Sequence, residues 1–254
     1  MNCKKVTYLL CTLSFLLVAI WSINVAEAGP EFATDGLVAM YTLDQADIKG
    51  DVVKDAFGKN DAKLMGKLKS VKGQIGEALE FDGGPNYVEI PKLGPMEVAS
   101  VEAWAFEKQF GAIQGIVSTW QWVAGKVHFK FENNEIQVDK NGGVKIRLAA
   151  QAGQWYHIIY TCDTKKNELK LYVNGALADQ GVAGKEPQNM DERRIGSEHD
   201  GRFLTGMVDE VRIYNRVLDE KEVKQNFGAK SNKLAVDPAG KLATSWGAIK
   251  REIH

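Results

Sequence analysis

Cysteine is scarce. The chain has three in 254 residues, and two of them, Cys3 and Cys11, lie in an apolar N-terminal stretch. Without those two, Cys162 stands alone and no internal disulfide can form. A chain of this size can bury enough apolar surface to manage without one. Cys162 sits in the apolar run 155–162 and reads as a small buried hydrophobe. Clustered basic residues are also missing, and the formal net charge is −1. A phosphate backbone needs a concentrated basic face, so nucleic acid is excluded as the main partner. No internal repeat, Ser/His/Asp order, zinc-type spacing or phosphate-binding glycine loop occurs. Helical periodicity is confined to one short segment near the C-terminus.

The N-terminus has the order of a secretory signal. Lys4 and Lys5 supply the charge, residues 6–23 are almost wholly apolar, and Ala26-Glu27-Ala28 offers a small–x–small cleavage site. Residues 1–28 are therefore expected to be a signal peptide, with the mature chain secreted, periplasmic or on the cell surface and free of the membrane. The other reading is an uncleaved anchor, because the apolar run approaches the roughly 18 residues that span a bilayer. Leu9 and Leu10 stand before Cys11 where lipidation would need a small residue. Mass spectrometry of the exported protein is expected to give a chain starting at Gly29; an intact Met1 would refute cleavage.

What the sequence does have is short strands punctuated by turns. They are expected at 37–43, 78–81, 87–90, 101–106, 116–122, 127–131, 135–138, 144–148, 155–162, 169–173 and 207–214. Gly83-Gly84-Pro85, Gly142-Gly143 and Asn174-Gly175 separate some of them. Asn-Gly tolerates the positive φ angles of a type I′ turn, which predicts a hairpin from 169–173 into 176–179. One helix is expected after Asp219 as its cap, with Gly228 as the stop. Many strands and one helix imply an all-β, two-sheet antiparallel sandwich. Residues 29–228 form that domain, and 229–254 form a tail or closing hairpin around Asp237-Pro238-Ala239-Gly240.

Several segments, in order, resemble the laminin G-like / concanavalin A-like jelly-roll family. They are Gly36-Leu-Val-Ala-Met-Tyr-Thr-Leu-Asp44, Ala78-Leu-Glu-Phe-Asp-Gly83 with Tyr87-Val-Glu-Ile90, and Ser100-Val-Glu-Ala-Trp104. Gln154-Trp-Tyr-His157, Leu171-Tyr-Val-Asn-Gly175, Arg194-Ile-Gly196 and the segment from Gly206 to Arg216 follow. The resemblance implies two curved sheets and a family of lectins, adhesion modules, enzyme-appended binding modules and some hydrolases, so the fold alone does not give the function.

Period two in 207–214 puts Asp209 in one row with Met207, Val211 and Ile213. A buried carboxylate there needs a cation, backbone N–H groups or an arginine such as Arg193 or Arg194. The family resemblance implies a structural Ca2+ at Asp209, with Asp44, Asp82 and Gly83 nearby, a donor set of oxygens that suits this ion. Trp120 and Trp122 share a face if 116–122 is a strand, and they either stack on a sugar or fill the core. Trp104 and Trp155, in mid-strand, read as core, and His157 as a satisfied structural histidine. Glu102 shares a face with Trp104 and Phe106. Glu198, His199, Asp200 and Arg202 form a polar loop, either a ligand rim or a solvated turn. The Glu-x-Asp-x-x-Glu carboxylates of glucanases on this fold are missing. The expectation is therefore an exported, non-catalytic, lectin-type module whose partner is a glycan or another extracellular ligand. A divergent glycosidase or lyase and a protein-binding adhesion module are the rivals.

Overall fold

The computed structural model describes residues 31–199 and 201–234. The signal segment, Asp200 and the turn at Asp237 lie outside the described residues. Two antiparallel layers enclose the core. In the first, the spatial order is Ala176–Gly181, Glu168–Val173, Trp155–Asp163, Val98–Glu107, Thr205–Tyr214, Glu77–Asp82, Lys69–Lys72, and Leu37–Tyr41 also pairs with Thr205–Tyr214. The second layer has two parts. One runs Gln114–Gly115, Val127–Glu132, Glu135–Lys140, Lys145–Ala149; the other runs Val117–Thr119, Arg193–Ile195, Tyr87–Glu89, Ala62–Met65, Val52–Val53, Ile48–Lys49. The hydrogen bond from Ile116 N to Phe129 O, 2.9 Å, joins the parts.

Alternation builds the core between the layers. In Val127–Glu132, Val127, Phe129 and Phe131 are fully buried against the first layer. Each such side chain contributes roughly 1.5–3 kcal/mol of transfer free energy. His128, Lys130 and Glu132 consequently project from the other side. Val101, Ala103 and Ala105 do the same for the first layer, and Cys162 is buried in this core as a free thiol. The Asn174-Gly175 hairpin forms as expected, with φ of 51° and 80°.

The back of the first layer is covered rather than solvated. Asp219 caps the helix Glu220–Gly228 through a capping box with Glu222. Val223, Phe32 and Leu218 pack with Met40, Ile159 and Tyr172 into a second, smaller cluster. Trp104 lies in this covering layer, 5.8 Å from the Phe227 ring; it is buried, but outside the inter-sheet core. Among the described residues no helix is long and apolar enough to cross a membrane.

Two expectations about register need correction. The register between Thr205–Tyr214 and Val98–Glu107 shifts between Asp209 and Arg212, and Glu210 has φ 52°. This β-bulge inserts one residue and resets the alternation. Val208, Val211 and Ile213 join the core. Asp209 thus leaves the apolar row in which strict period two placed it, and it points to the covered face. The strand at 116–122 also ends early, at Thr119, so Trp120 and Trp122 are loop residues whose placement is not set by alternation.

Candidate functional site

The helix-free face of the second layer gathers most of the predicted ligand residues. Ile113, Trp122, His128, Lys130, Asp139, His199 and Arg202 line a shallow depression of about 250 Å³. Its foundation is Glu198, which is fully buried. The hairpin Ser197–Glu198 / Arg202–Phe203 sets Glu198 opposite Arg202, and Arg202 Nη1 donates to Glu198 Oε1 at 2.7 Å. His128 Nδ1 lies 3.0 Å from the same oxygen, and Ser118 Oγ donates to Oε2 at 3.2 Å. Burial pushes the Glu198 carboxyl up, but the hydrogen bond and charge of His128, then Lys130 and Arg202, outweigh it and hold it below the ordinary range. Glu198 is therefore a fixed anion that orients the groups around it.

His128 is the first beneficiary. Its ring is 4% exposed, anchored through Nδ1, and its buried Nε2 has no protein partner. The Trp122 ring lies 4.2 Å from it at 46°, and Trp122 itself is 40% exposed. The exposed indole, held beside an oriented imidazole, offers an apolar platform to a ligand. His199 stands 5.1 Å from His128 and 6.2 Å from Trp120. The structure thus brings together Trp120, Trp122, Glu198, His199 and Arg202, while Asp200 lies outside the described residues. The "solvated turn" reading fails for Glu198, since its charge is enclosed by donors. Sequence reasoning passed over His128 and Lys130, although the predicted strand 127–131 already put both on its polar side.

The Ca2+ expectation divides. Asp209 and Asp44 meet at the loop Gly73–Glu77. Asp209 Oδ2 accepts from Gln74 N at 2.8 Å and Ile75 N at 3.0 Å, and Asp44 Oδ1 accepts from Glu77 N at 2.6 Å. Gly73 and Gly76 make this cradle possible: a Cβ on either would come within 2.5 Å and 2.4 Å of the Asp209 and Asp44 carboxylate oxygens respectively. The bulge adds Glu210, and Asn232 donates Nδ2 to both Asp44 Oδ2 and Glu210 Oε1 at 2.9 Å. Burial, then the Glu210 charge, pushes Asp209 up to about 8, and burial pushes Glu210 up to about 7 against the pull of Arg212. Asp209 Oδ1 is buried without a partner. An orphaned oxygen amid excess negative charge fits a hard cation. Among the described residues, however, His, Cys, Asp and Glu side chains do not by themselves assemble a three-ligand cage, so backbone oxygens or water would have to complete one. Asp82 and Gly83 do not reach this cluster. Asp82 pairs with Thr205, four residues from Asp209 and about 13 Å along the strand, and its Oδ1 accepts from Gly84 N. Neither Arg193 nor Arg194 pairs with Asp209: Arg193 Nη1 donates to Val117 O, and Arg194 stacks on rings.

Glu102 lies on the covered face. His157 Nε2 sits 2.9 Å from it, which makes His157 the satisfied structural histidine expected from its place in a strand.

Comparison with known proteins adds kinship. A family model described as the concanavalin A-like lectin/glucanases superfamily matches residues 82–224. Pentraxin-related protein PTX3 of Mus musculus is 26% identical over 130 residues, 44% of this chain and 33% of that protein. Adhesion G-protein coupled receptor D1 of Homo sapiens is 34% identical over 88 residues, 32% of this chain and 10% of the receptor. The chain thus spans a third or less of these curated relatives. Among solved structures, domain 4 of AbnA, an extracellular arabinanase of Geobacillus stearothermophilus, was determined in complex with arabinotriose. It superposes with a TM-score of 0.62 at 18% identity, covering 76% of this chain and 98% of that domain. Trypanosoma rangeli sialidase gives 0.58 at 15%, covering 77% of this chain and 33% of that one. At these identities the structural likeness speaks for the fold.

Proposed function

This chain belongs to the concanavalin A-like lectin/glucanases superfamily, and from that premise we propose that it is an exported, non-catalytic binding module whose ligand is a glycan. The observation that carries the reading is the pairing of exposed Trp122 with His128, which is anchored through Nδ1 on buried Glu198, in a depression that Asp139 and Arg202 also line. Stacking on the indole and hydrogen bonding to the polar side chains that line the depression, Asp139 and Arg202, are the two contacts a sugar ring requires of a shallow site. The arabinotriose-bound AbnA domain, similar over most of its length, supports a carbohydrate on this fold. The parent arabinanase of that domain is extracellular, which accords with export.

The enzyme reading is weaker for a chemical reason. A glycosidase needs one carboxyl that holds a proton for the leaving group. Glu198, the carboxylate at the centre of this face, is held below the ordinary range. Ca2+ enters as a stabilising ion on the opposite side of the sandwich. Asp209 Oδ1, with Asp44 and Glu210 beside it, would hold the ion and neutralise a buried cluster of carboxylates.

A glycan array probed with the purified chain, with and without calcium, tests the ligand class. Trp122→Ala is expected to weaken binding about tenfold or more, as loss of one stacking contact does, while thermal unfolding changes little. A loss of about 3–5 kcal/mol of stability would instead assign Trp122 to the core. Release of reducing ends from a bound polysaccharide would overturn the non-catalytic reading.

A further inference from the structure

Arg194 differs from the other cations of the helix-free face. Arg202 is committed to Glu198, and Lys130 lies 2.9 Å from Glu132. The Arg194 guanidinium instead lies between two rings, its Cζ 4.2 Å from the Tyr87 centroid and 4.4 Å from that of Trp120. In the strand register it faces Glu89 on one side and Ser118 on the other, yet among the described residues it forms no ion pair with Glu89 or any other carboxylate. The strand Arg193–Ile195 sends Ile195 into the core, so alternation turns Arg194 outward, where it is half-buried.

Two rings on its faces fix the plane of a guanidinium and strip water from both sides, leaving the N–H edge as its open hydrogen-bonding surface. That edge is a rigid fork matched to a planar, two-oxygen acceptor. The row does not stop at Trp120. It continues through His199, His128 and Trp122, at ring separations of 6.2, 5.1 and 4.2 Å. An oriented cation with no counter-ion among the described residues therefore stands at one end of a row of rings, and the exposed indole stands at the other.

We propose that Arg194 reads a carboxylate, so that the ligand is a glycan carrying acidic sugars, laid along the row from Arg194 to Trp122. This inference rests on the glycan reading above and narrows it to one chemical class. Arg194 supplies the charge-assisted pair, and exposed Trp122 takes another sugar of the same glycan. The carboxylate needs no metal to be recognised here, which separates this site from the Asp209 cluster.

The test uses pairs of polysaccharides that differ in the carboxyl group alone. Polygalacturonate, unsulfated chondroitin and polysialic acid are each compared with their carboxyl-reduced forms by titration calorimetry on the purified chain. At least one acidic form is expected to bind about tenfold or more tightly than its reduced partner, as a hydrogen-bonded charge pair provides. The preference should shrink as salt is added. Arg194→Gln should cut it to about twofold or less, and Arg194→Lys should lose most of it, because lysine keeps the charge without the fork. A purely structural arginine would alter melting in these variants and leave selectivity untouched. Equal binding of acidic and reduced forms by the wild type would overturn the inference and leave the glycan reading standing, as would a preference that survives in Arg194→Gln. Binding of no glycan, neutral or acidic, by the folded chain would overturn both.

Discussion

Glu102→Ala is expected to destabilise the chain by about 3–5 kcal/mol, the usual cost of removing one partner from a buried ion pair. Glu102 is fully buried behind the first layer. Its Oε1 accepts from Arg212 Nη1 at 2.7 Å and lies 2.9 Å from His157 Nε2. Its Oε2 accepts from Asn226 Nδ2 at 2.6 Å and from Tyr214 OH at 3.2 Å. Two strands and the helix thus converge on one carboxylate, and alanine would strand their donors in a dry site. Burial alone would raise the Glu102 carboxyl; the charge of Arg212, then His157 and Asn226, bring it down to about 2. A folded value below the ordinary 4.5 means that its contribution is present above that pH. The contribution is lost as pH falls from about 4.5 towards 2. Glu102→Gln keeps the volume and should flatten this acid limb while costing less than alanine. Thermal unfolding of the three proteins between pH 2 and pH 7 measures both effects. A Glu102→Ala protein as stable as wild type would remove the network from the account of the fold.

Calcium is expected to raise the melting temperature, and more so at pH 8 than at pH 5. The cause is again a linkage, now of the opposite sign. Burial and the Glu210 charge raise Asp209 to about 8, and burial raises Glu210 to about 7. A carboxyl raised by folding stabilises most when both states are protonated, and that contribution is lost as pH rises through the folded value. The metal-free chain should therefore lose on the order of a few kcal/mol between about pH 4 and pH 8 from these two groups. A cation binds the ionised carboxylates and competes with their protons, so its effect grows across the same interval. At a hundredfold excess over Kd the gain is about 2.7 kcal/mol. Asp209→Asn should abolish that gain and raise the stability of the metal-free chain at pH 8, because an isosteric amide removes the buried charge. Identical melting at pH 8 in calcium and in chelator would refute the site.

The candidate sites were legible in part, and particular residues show where the reading stopped. Asp209 was singled out for sharing a row with Val211 and Ile213. The bulge at Glu210 breaks that row, and the sequence carries no glycine or other turn residue there to announce it. The same bulge makes Glu210 the third carboxylate of the cluster, a role that strict alternation hid. The family resemblance implies Asp82 beside the ion, but strand register carries it away from Asp209. Trp120 and Trp122 were paired by a strand that ends at Thr119, yet both reach the ligand face because the loop runs beside the hairpin of Glu198. His128 and Lys130 could have been found by counting alternate positions from Phe129.

The sequence by itself determined the all-β sandwich, the Asn174-Gly175 hairpin, the Asp219-capped helix and the burial of Cys162. These follow from local rules: period two, positive φ at Asn-Gly, a side-chain cap, and an apolar run too regular to expose. It also marked Trp120, Trp122, Glu198, His199 and Arg202 as polar or aromatic residues in need of an explanation. Only the tertiary structure decided that Trp122, His199 and Arg202 share one depression with His128 and Lys130, with Glu198 beneath it and Trp120 beside His199. It also decided that Arg194 is clamped between Tyr87 and Trp120, and that Glu102 faces a buried cation rather than solvent. Such facts depend on register between strands far apart in the chain, where a one-residue shift reverses every side chain, and no local pattern encodes that shift.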